Sequence, residues 1–119
     1  MMALRLTLPW PPAELSPNAR HAHWASLARA KKRFRAACAW TARSQGAARL
    51  AGPPEALAVH LRFVPPDRRL RDLDNCIGAM KSGLDGLADV LGVDDNRWTL
   101  SAELLVGQVG GMVKVEVVA

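Results

Sequence analysis

Two carboxylates one residue apart stand directly behind three arginines in the stretch Arg68-Arg69-Leu70-Arg71-Asp72-Leu73-Asp74-Asn75. A second acidic pair, Asp94-Asp95, closes the next segment. Carboxylate oxygens are the ligands a hard cation such as Mg²⁺ prefers, and Mg²⁺ usually takes only one or two from protein before binding phosphate. Guanidinium groups grip phosphate oxygens in bidentate fashion. Acids for a metal beside cations for a polyanion suggest chemistry on a phosphodiester.

Each of these residues also has an ordinary structural reading. Asp72 could cap a helix, with Asp74 favoured in the first turn by the helix dipole. Lys81 and Asp85, four apart, could be a surface ion pair, and Asp94-Asp95 after Gly92 could be a turn. Capping, however, does not require three neighbouring arginines. Two rival motifs fail. Asp72-x-Asp74 has the spacing of the nucleophile motif in haloacid-dehalogenase-type phosphatases, but that motif ends an apolar strand, and here Arg-Arg-Leu-Arg precedes it. An EF-hand loop needs glycine at its sixth position, which counted from Asp72 is Ile77.

The elements that must hold these residues follow from periodicity. Leu4 to Leu8 alternates and predicts a strand, stopped by Pro9-Trp10-Pro11-Pro12. A loop through Ser16-Pro17-Asn18 leads to a helix from about His21 to Ser44, ended by Gly46 and Gly52-Pro53-Pro54. Ala56 to Val64 predicts a second strand, and a second helix runs from Asp72 or Leu73 to Leu91 with Gly92 as its stop. Trp98 to Val106 and Met112 to Val118 predict two strands joined as a hairpin around Gly107 and Gly110-Gly111. The order β-α-β-α-β-β predicts an α+β fold over residues 1–119, one two-layer domain with both main helices on one face of a mixed sheet.

Both helices have two faces. In the first, Trp24, Leu27, Phe34, Cys38 and Thr41 form one side, and Arg29, Lys32, Arg33, Trp40 and Arg43 the other. A solvated face usually mixes signs, whereas this one is single-signed. It reads either as an ordinary solvated face or as a DNA contact, with Trp40 able to stack on a base or to meet a second subunit. In the second helix, Leu73, Ile77, Met80, Leu84, Leu87 and Leu91 form an apolar seam. Opposite them Asp74, Gly78, Lys81 and Asp85 form a polar stripe, with a side-chain gap at Gly78 that would admit a metal-bound phosphate.

Composition narrows the partners. The 119 residues carry a net charge of +5, but residues 1–50 hold nine Arg/Lys against one acid, and residues 51–119 hold seven against ten. A basic half (+8) and an acidic half (−3) suggest a polyanionic partner and a localised acidic site, with nucleic acid ahead of a membrane surface. No apolar run is long enough to span a bilayer, and Met1 to Trp10 lacks the regions of a signal peptide, so a cytoplasmic protein is expected. Cys38 and Cys76 form no C-x-x-C pair and read as buried reduced thiols. His21 and His23 at the helix entrance could contact phosphate, while His60 alternates with apolar strand neighbours. Ordinary roles suit all three better than metal binding.

Taken together, these motifs resemble the RusA family of Holliday junction resolvases, along nearly the whole chain. The resemblance lies in Leu6-Thr7-Leu8-Pro9-Trp10-Pro11-Pro12, Ser16-Pro17-Asn18, Pro66-Asp67-Arg68-Arg69, Arg71-Asp72-Leu73-Asp74-Asn75, Asp85-Gly86-Leu87 and Asp94-Asp95. It implies a homodimeric, RusA-like endodeoxyribonuclease that uses Mg²⁺, with Mn²⁺ as a substitute and no organic cofactor. Such an enzyme resolves four-way junctions in recombination and repair by paired symmetric nicks. By position, the family's metal-binding aspartates fall on Asp72, Asp74 and Asp95. Its lysine falls on Gly78 when counted forward but on Lys81 when counted back from Asp85, and Lys81 takes that role. Arg68, Arg69 and Arg71 would position the DNA backbone, with Arg29, Lys32 and Arg33 adding phosphate contacts. The alternatives are a nuclease for other branched DNA such as flaps, or a non-catalytic basic DNA-binding module on the same fold.

One distance is left open. About seventeen helical residues separate Asp74 from Gly92, roughly 25 Å at ~1.5 Å each. Either the helix bends near Gly83 and Gly86, or the chain after Gly92 folds back, or Asp95 comes from the other subunit of an antiparallel pair.

Overall fold

Alternation builds the sheet. In β1 (Ala3–Pro9) Leu6 and Leu8 are buried while Arg5 and Thr7 are exposed. In β2 (Leu57–Val64) Leu57, Val59, Leu61 and Phe63 point inward, and in β4 (Met112–Val118) Val113, Val115 and Val117 do the same. With β3 (Trp98–Leu104) these strands form one four-stranded sheet in the order β1-β4-β2-β3. The computed structural model describes residues 3–19, 23–52 and 56–119. His21, Pro53 and Pro54 lie outside the described residues.

The two helices, α1 (Trp24–Ser44) and α2 (Leu73–Leu91), cover the inward face and complete one α+β domain with a mixed sheet. β2 and β3 are parallel, and the long crossover that parallel neighbours require is α2. Its seam lies within the chain's own core: Met80, Leu84, Leu87 and Leu91 are buried, with Leu73 and Ile77 packed at the margin. α2 ends where Gly92 takes a left-handed conformation (φ 74°) and its N–H bonds the Ala88 carbonyl.

Two expectations are corrected. β3 and β4 do not form a hairpin, because β2 lies between them, parallel to β3 and antiparallel to β4. Residues 105–111 instead cross the end of β2, tied by Leu105 N–H to the Phe63 carbonyl and by Gly110 and Gly111 N–H to the Pro65 carbonyl. α2 runs as one continuous helix through Gly83 and Gly86. A Cβ on Gly86 would lie 2.2 Å from the Arg35 carbonyl oxygen, and one on Gly83 2.7 Å from the Phe34 ring, so both mark where the helices cross closely. Finally, Trp24 is not on the core side of α1 but 79 % exposed, its ring stacked on His23. The buried side of α1 is Ala30, Phe34, Cys38, Ala39 and Ala42, with Phe34 and Cys38 set against Gly83 and the backbone at Arg35 and Ala39 against Gly86.

Candidate functional site

The loop that carries the arginines is held from two sides. Trp10, in the Pro9-Trp10-Pro11-Pro12 segment, sets its ring edge-on to Phe63, with centroids 5.9 Å apart. The Arg71 guanidinium lies 5.4 Å from the centroid of the same Trp10 ring. Arg71 also pairs with the Asp67 carboxylate at 2.9 Å and donates to the carbonyls of Asp67 (3.2 Å) and Arg69 (3.0 Å). Its side chain is only 17 % exposed. Arg71 is therefore a latch that shapes the loop, and the exposed cations left for a backbone phosphate are Arg68 and Arg69, the latter shared with Asp67 at 3.3 Å.

The hydrogen bond from Arg71, helped by the Arg69 backbone N–H, pushes the Asp67 carboxyl down to about 2 from 3.8. A depressed folded-state value means a contribution fully present above the unfolded pKa and lost as pH falls through the folded one. Stability supplied by this latch should thus persist above pH 3.8 and vanish toward about pH 2. Acid unfolding of Asp67→Asn beside the parent protein checks this, since the difference between the two should shrink across that window. A difference constant down to pH 2 would remove the latch's ionic part.

Asp72 occupies the N-cap position of α2, yet its side chain makes no capping bond to the helix. Its Oδ2 accepts instead from Asn75 Nδ2 at 3.3 Å. Asp74, exposed in the first turn, accepts among the described residues only from the neighbouring Asn75 backbone N–H at 3.0 Å. Neither carboxylate forms an ion pair with any described residue, although three arginines precede them. The capping role, the ordinary reading of Asp72, is thus not taken up.

Two turns further along α2, Lys81 sits between carboxylates. Its Nζ donates to Asp85 Oδ1 at 2.8 Å and to Asp95 Oδ2 at 2.5 Å. The Asp94-Asp95 pair divides its work. Asp94 caps the short 3-10 turn Asp95–Arg97 by accepting from Asn96 N–H, which turns Asp95 toward α2. The Trp98 indole N–H bonds the Val93 carbonyl at 3.1 Å and fixes the same turn. Asp85 and then Asp95 push the Lys81 ammonium up, and Lys81 holds the Asp95 carboxyl below its ordinary range. Lys81 is therefore a fixed positive charge at neutral pH, suited to stabilising an anion rather than accepting a proton.

The expected gap at Gly78 is closed. A Cβ there would lie 2.7 Å from Pro17 Cγ, so Ser16-Pro17-Asn18 packs on α2 at this point, and Lys81 is the lysine on this face. The structure joins Lys81, Asp85 and Asp95, and separately Asp72 with Asn75; it does not bring Asp95 beside Asp72 and Asp74. Among the described residues no group of three or more His, Cys, Asp or Glu is arranged to hold a metal ion. The three-aspartate set does not assemble within one chain. Asp72 and Asp74 are both exposed, and among the described residues neither meets a cation; Mg²⁺ takes only one or two protein carboxylates when phosphate supplies other oxygens.

Arg29, Lys32, Arg33, Trp40 and Arg43 are all exposed on α1, which contains no acidic residue. Cys38 and Cys76 are free and buried, and burial pushes the Cys38 thiol up to about 12, so neither is a nucleophile. The sequence reading passed over Leu70, whose side chain stands fully exposed between Arg69 and Arg71. The available signal was a lone apolar residue in a run of arginines with no periodicity to bury it.

No protein-family model matches the chain. An uncharacterized protein of Xylella fastidiosa (strain Temecula1) is 45% identical over 94 residues, which are 78% of this chain and 61% of that relative. The chain therefore spans less than two thirds of the length of the curated relative it matches. Among the described residues no helix is long and apolar enough to cross a membrane.

Proposed function

We propose that this chain is a metal-dependent endonuclease of the RusA type that nicks four-way DNA junctions as a homodimer. The observation that carries the reading is that Asp72 and Asp74, at the start of α2 just behind three arginines, meet no cation among the described residues. Arg71 spends its charge on Asp67, and Asp72 forgoes the cap. A module that only bound DNA would gain nothing from bare carboxylates where phosphates approach. Mg²⁺ held there would activate water and neutralise charge on the scissile phosphate.

The chain's own residues supply the rest. Asp72 and Asp74 would hold the metal, and Asn75 steadies the Asp72 carboxylate. Arg68 and Arg69 would position the backbone. Lys81, locked by Asp85 and Asp95, would offset negative charge developing on the phosphate or leaving oxygen. Two symmetric nicks require two sites related by a two-fold axis, hence the homodimer. The test is incubation with synthetic four-way, flap and duplex DNA, each with and without Mg²⁺. Nicking of the junction alone, only with metal, is expected. Cleavage of flaps as fast as junctions would make this a general branch nuclease, and binding without cleavage in any metal would leave a DNA-binding module.

The basic face of α1 supplies sequence-independent phosphate contacts in this reading. Replacing Arg29, Lys32 and Arg33 together by Ala should weaken binding to every DNA form. The slope of log affinity against log salt should fall by about one unit per lost contact. A salt titration measures it, and an unchanged slope would return this face to plain solvation.

A further inference from the structure

A hollow of about 290 Å³ lies directly beside Asp72, where the Pro11-Pro12 segment meets the start of α2. Its lining is mostly apolar: Trp10, Pro11 and Pro12 from that segment, and Cys76 and Ala79 from α2. Leu70, fully exposed, borders it as well. An exposed leucine by itself needs no explanation, but this one stands at an apolar hollow that a candidate metal ligand also lines. Two amides add polar edges. Asn75 gives one N–H to Asp72 Oδ2 at 3.3 Å, and among the described residues its carbonyl oxygen meets no partner. The exposed Asn18 side chain likewise meets none among the described residues. Arg71, the cation in the lining, is held by Asp67 and two backbone carbonyls. With a carboxylate at its side and its cation already engaged, the hollow does not suit a phosphate. It suits a flat neutral ring with donor and acceptor edges.

We propose that this hollow receives a nucleobase, swung out of its stack, from the nucleotide next to the phosphate at Asp72 and Asp74. The inference rests on the proposed nuclease function and deepens it, because it supplies a way to tell a branch from intact duplex. Taking a base out of the stack costs unpairing and unstacking energy, least where pairing or stacking is already broken. The apolar lining covers the ring of the extruded base, and the Asn18 and Asn75 amides meet its polar edge. Leu70 enters the gap the base leaves, as apolar side chains do when they wedge between base steps. Arg68 and Arg69 hold the strand's phosphates beside it. Leu70 and Asn18 bind the substrate and take no part in the bond broken.

Once the nick is mapped, four-way junctions are made with the nucleotides flanking it paired, mismatched or lacking the base. The parent, Leu70→Ala and Asn18→Ala proteins are compared on each with Mg²⁺. Both side chains are exposed, so both variants should melt as the parent does. On paired junctions Leu70→Ala should cut about tenfold more slowly. A mismatch at the extruded nucleotide should restore the parental rate, because the unpairing is then done in advance. Asn18→Ala should lose about tenfold on paired and mismatched junctions alike. With that base deleted from the DNA, the parent and Asn18→Ala should cut at the same rate. An equal loss for Leu70→Ala with and without the mismatch would make Leu70 a general surface contact and overturn the pocket. Parental rates in both variants would overturn it as well. If the parent cuts no junction with Mg²⁺, the proposed function falls and the pocket with it; if the parent cuts but shows none of these base effects, the pocket alone falls.

Discussion

Asp74→Asn is expected to abolish nicking while leaving the fold and junction binding in place. The substitution keeps side-chain size and removes one negative charge. Among the described residues Asp74 has no ion pair whose loss would loosen α2, and its bond from the Asn75 N–H can be kept by an amide oxygen. The melting temperature should therefore stay within the error of the parent's. Binding in EDTA should hold or tighten, because one charge that repels phosphate is gone. Cleavage with Mg²⁺ should fall at least about a hundredfold, as expected when a ligand of a catalytic metal is lost. Parallel measurements of nicking, EDTA binding and melting separate the possibilities. Parent-like cleavage would end the metal role of Asp74; joint loss of binding and cleavage would assign it to DNA contact or folding instead.

How much of this was legible in sequence depended on whether the deciding contacts were local. α2 was legible almost to the residue, because its seam repeats within one helix and Gly92 supplies its own left-handed stop. The sheet was legible as four strands but not in its order. Turn glycines at 107, 110 and 111 suggest a hairpin, whereas the pairing of β2 with both β3 and β4 is set by residues some forty or more positions apart. Trp24 shows the same limit: helical spacing put it with Leu27 and Phe34, but among the described residues no element covers the start of α1 on that side.

In the site, the spacing of Asp72, Asp74 and Asp95 singled out carboxylates, and the structure separates Asp94, a turn cap, from Asp95, a partner of Lys81. What spacing could not show was occupancy. Gly78 reads as an opening along the polar stripe until Pro17, sixty-one residues earlier, fills it. Arg71 reads as a phosphate ligand like its two neighbours until Trp10 and Asp67 enclose it. The contacts of Pro17 with Gly78 and of Trp10 with Arg71 join segments far apart in the chain, and each changes a residue's chemistry more than its identity does.

A mixed dimer of Asp74→Asn with Asp95→Asn is expected to be as inactive as either parent variant. Asp95 reaches back from the end of α2 to Lys81 of its own chain, and Lys81 shares a helix with Asp74 about 10 Å away. α2 is continuous from Leu73 to Leu91, and the chain folds back after Gly92 to bring Asp95 onto Lys81. In this reading Asp72, Asp74 and Lys81 serve one site from one chain, and Asp95 acts by holding Lys81 rather than as a third metal ligand. In the mixed dimer each site then carries one neutralised residue, and neither strand is cut. If Asp95 instead served the partner's carboxylates, one of the two sites would keep all of its wild-type residues. Co-expressed chains with different tags, purified through both and assayed on a junction labelled in each strand, distinguish the two. Nicking of one strand at about half the parental rate would overturn the single-chain site and place Asp95 across the two-fold axis.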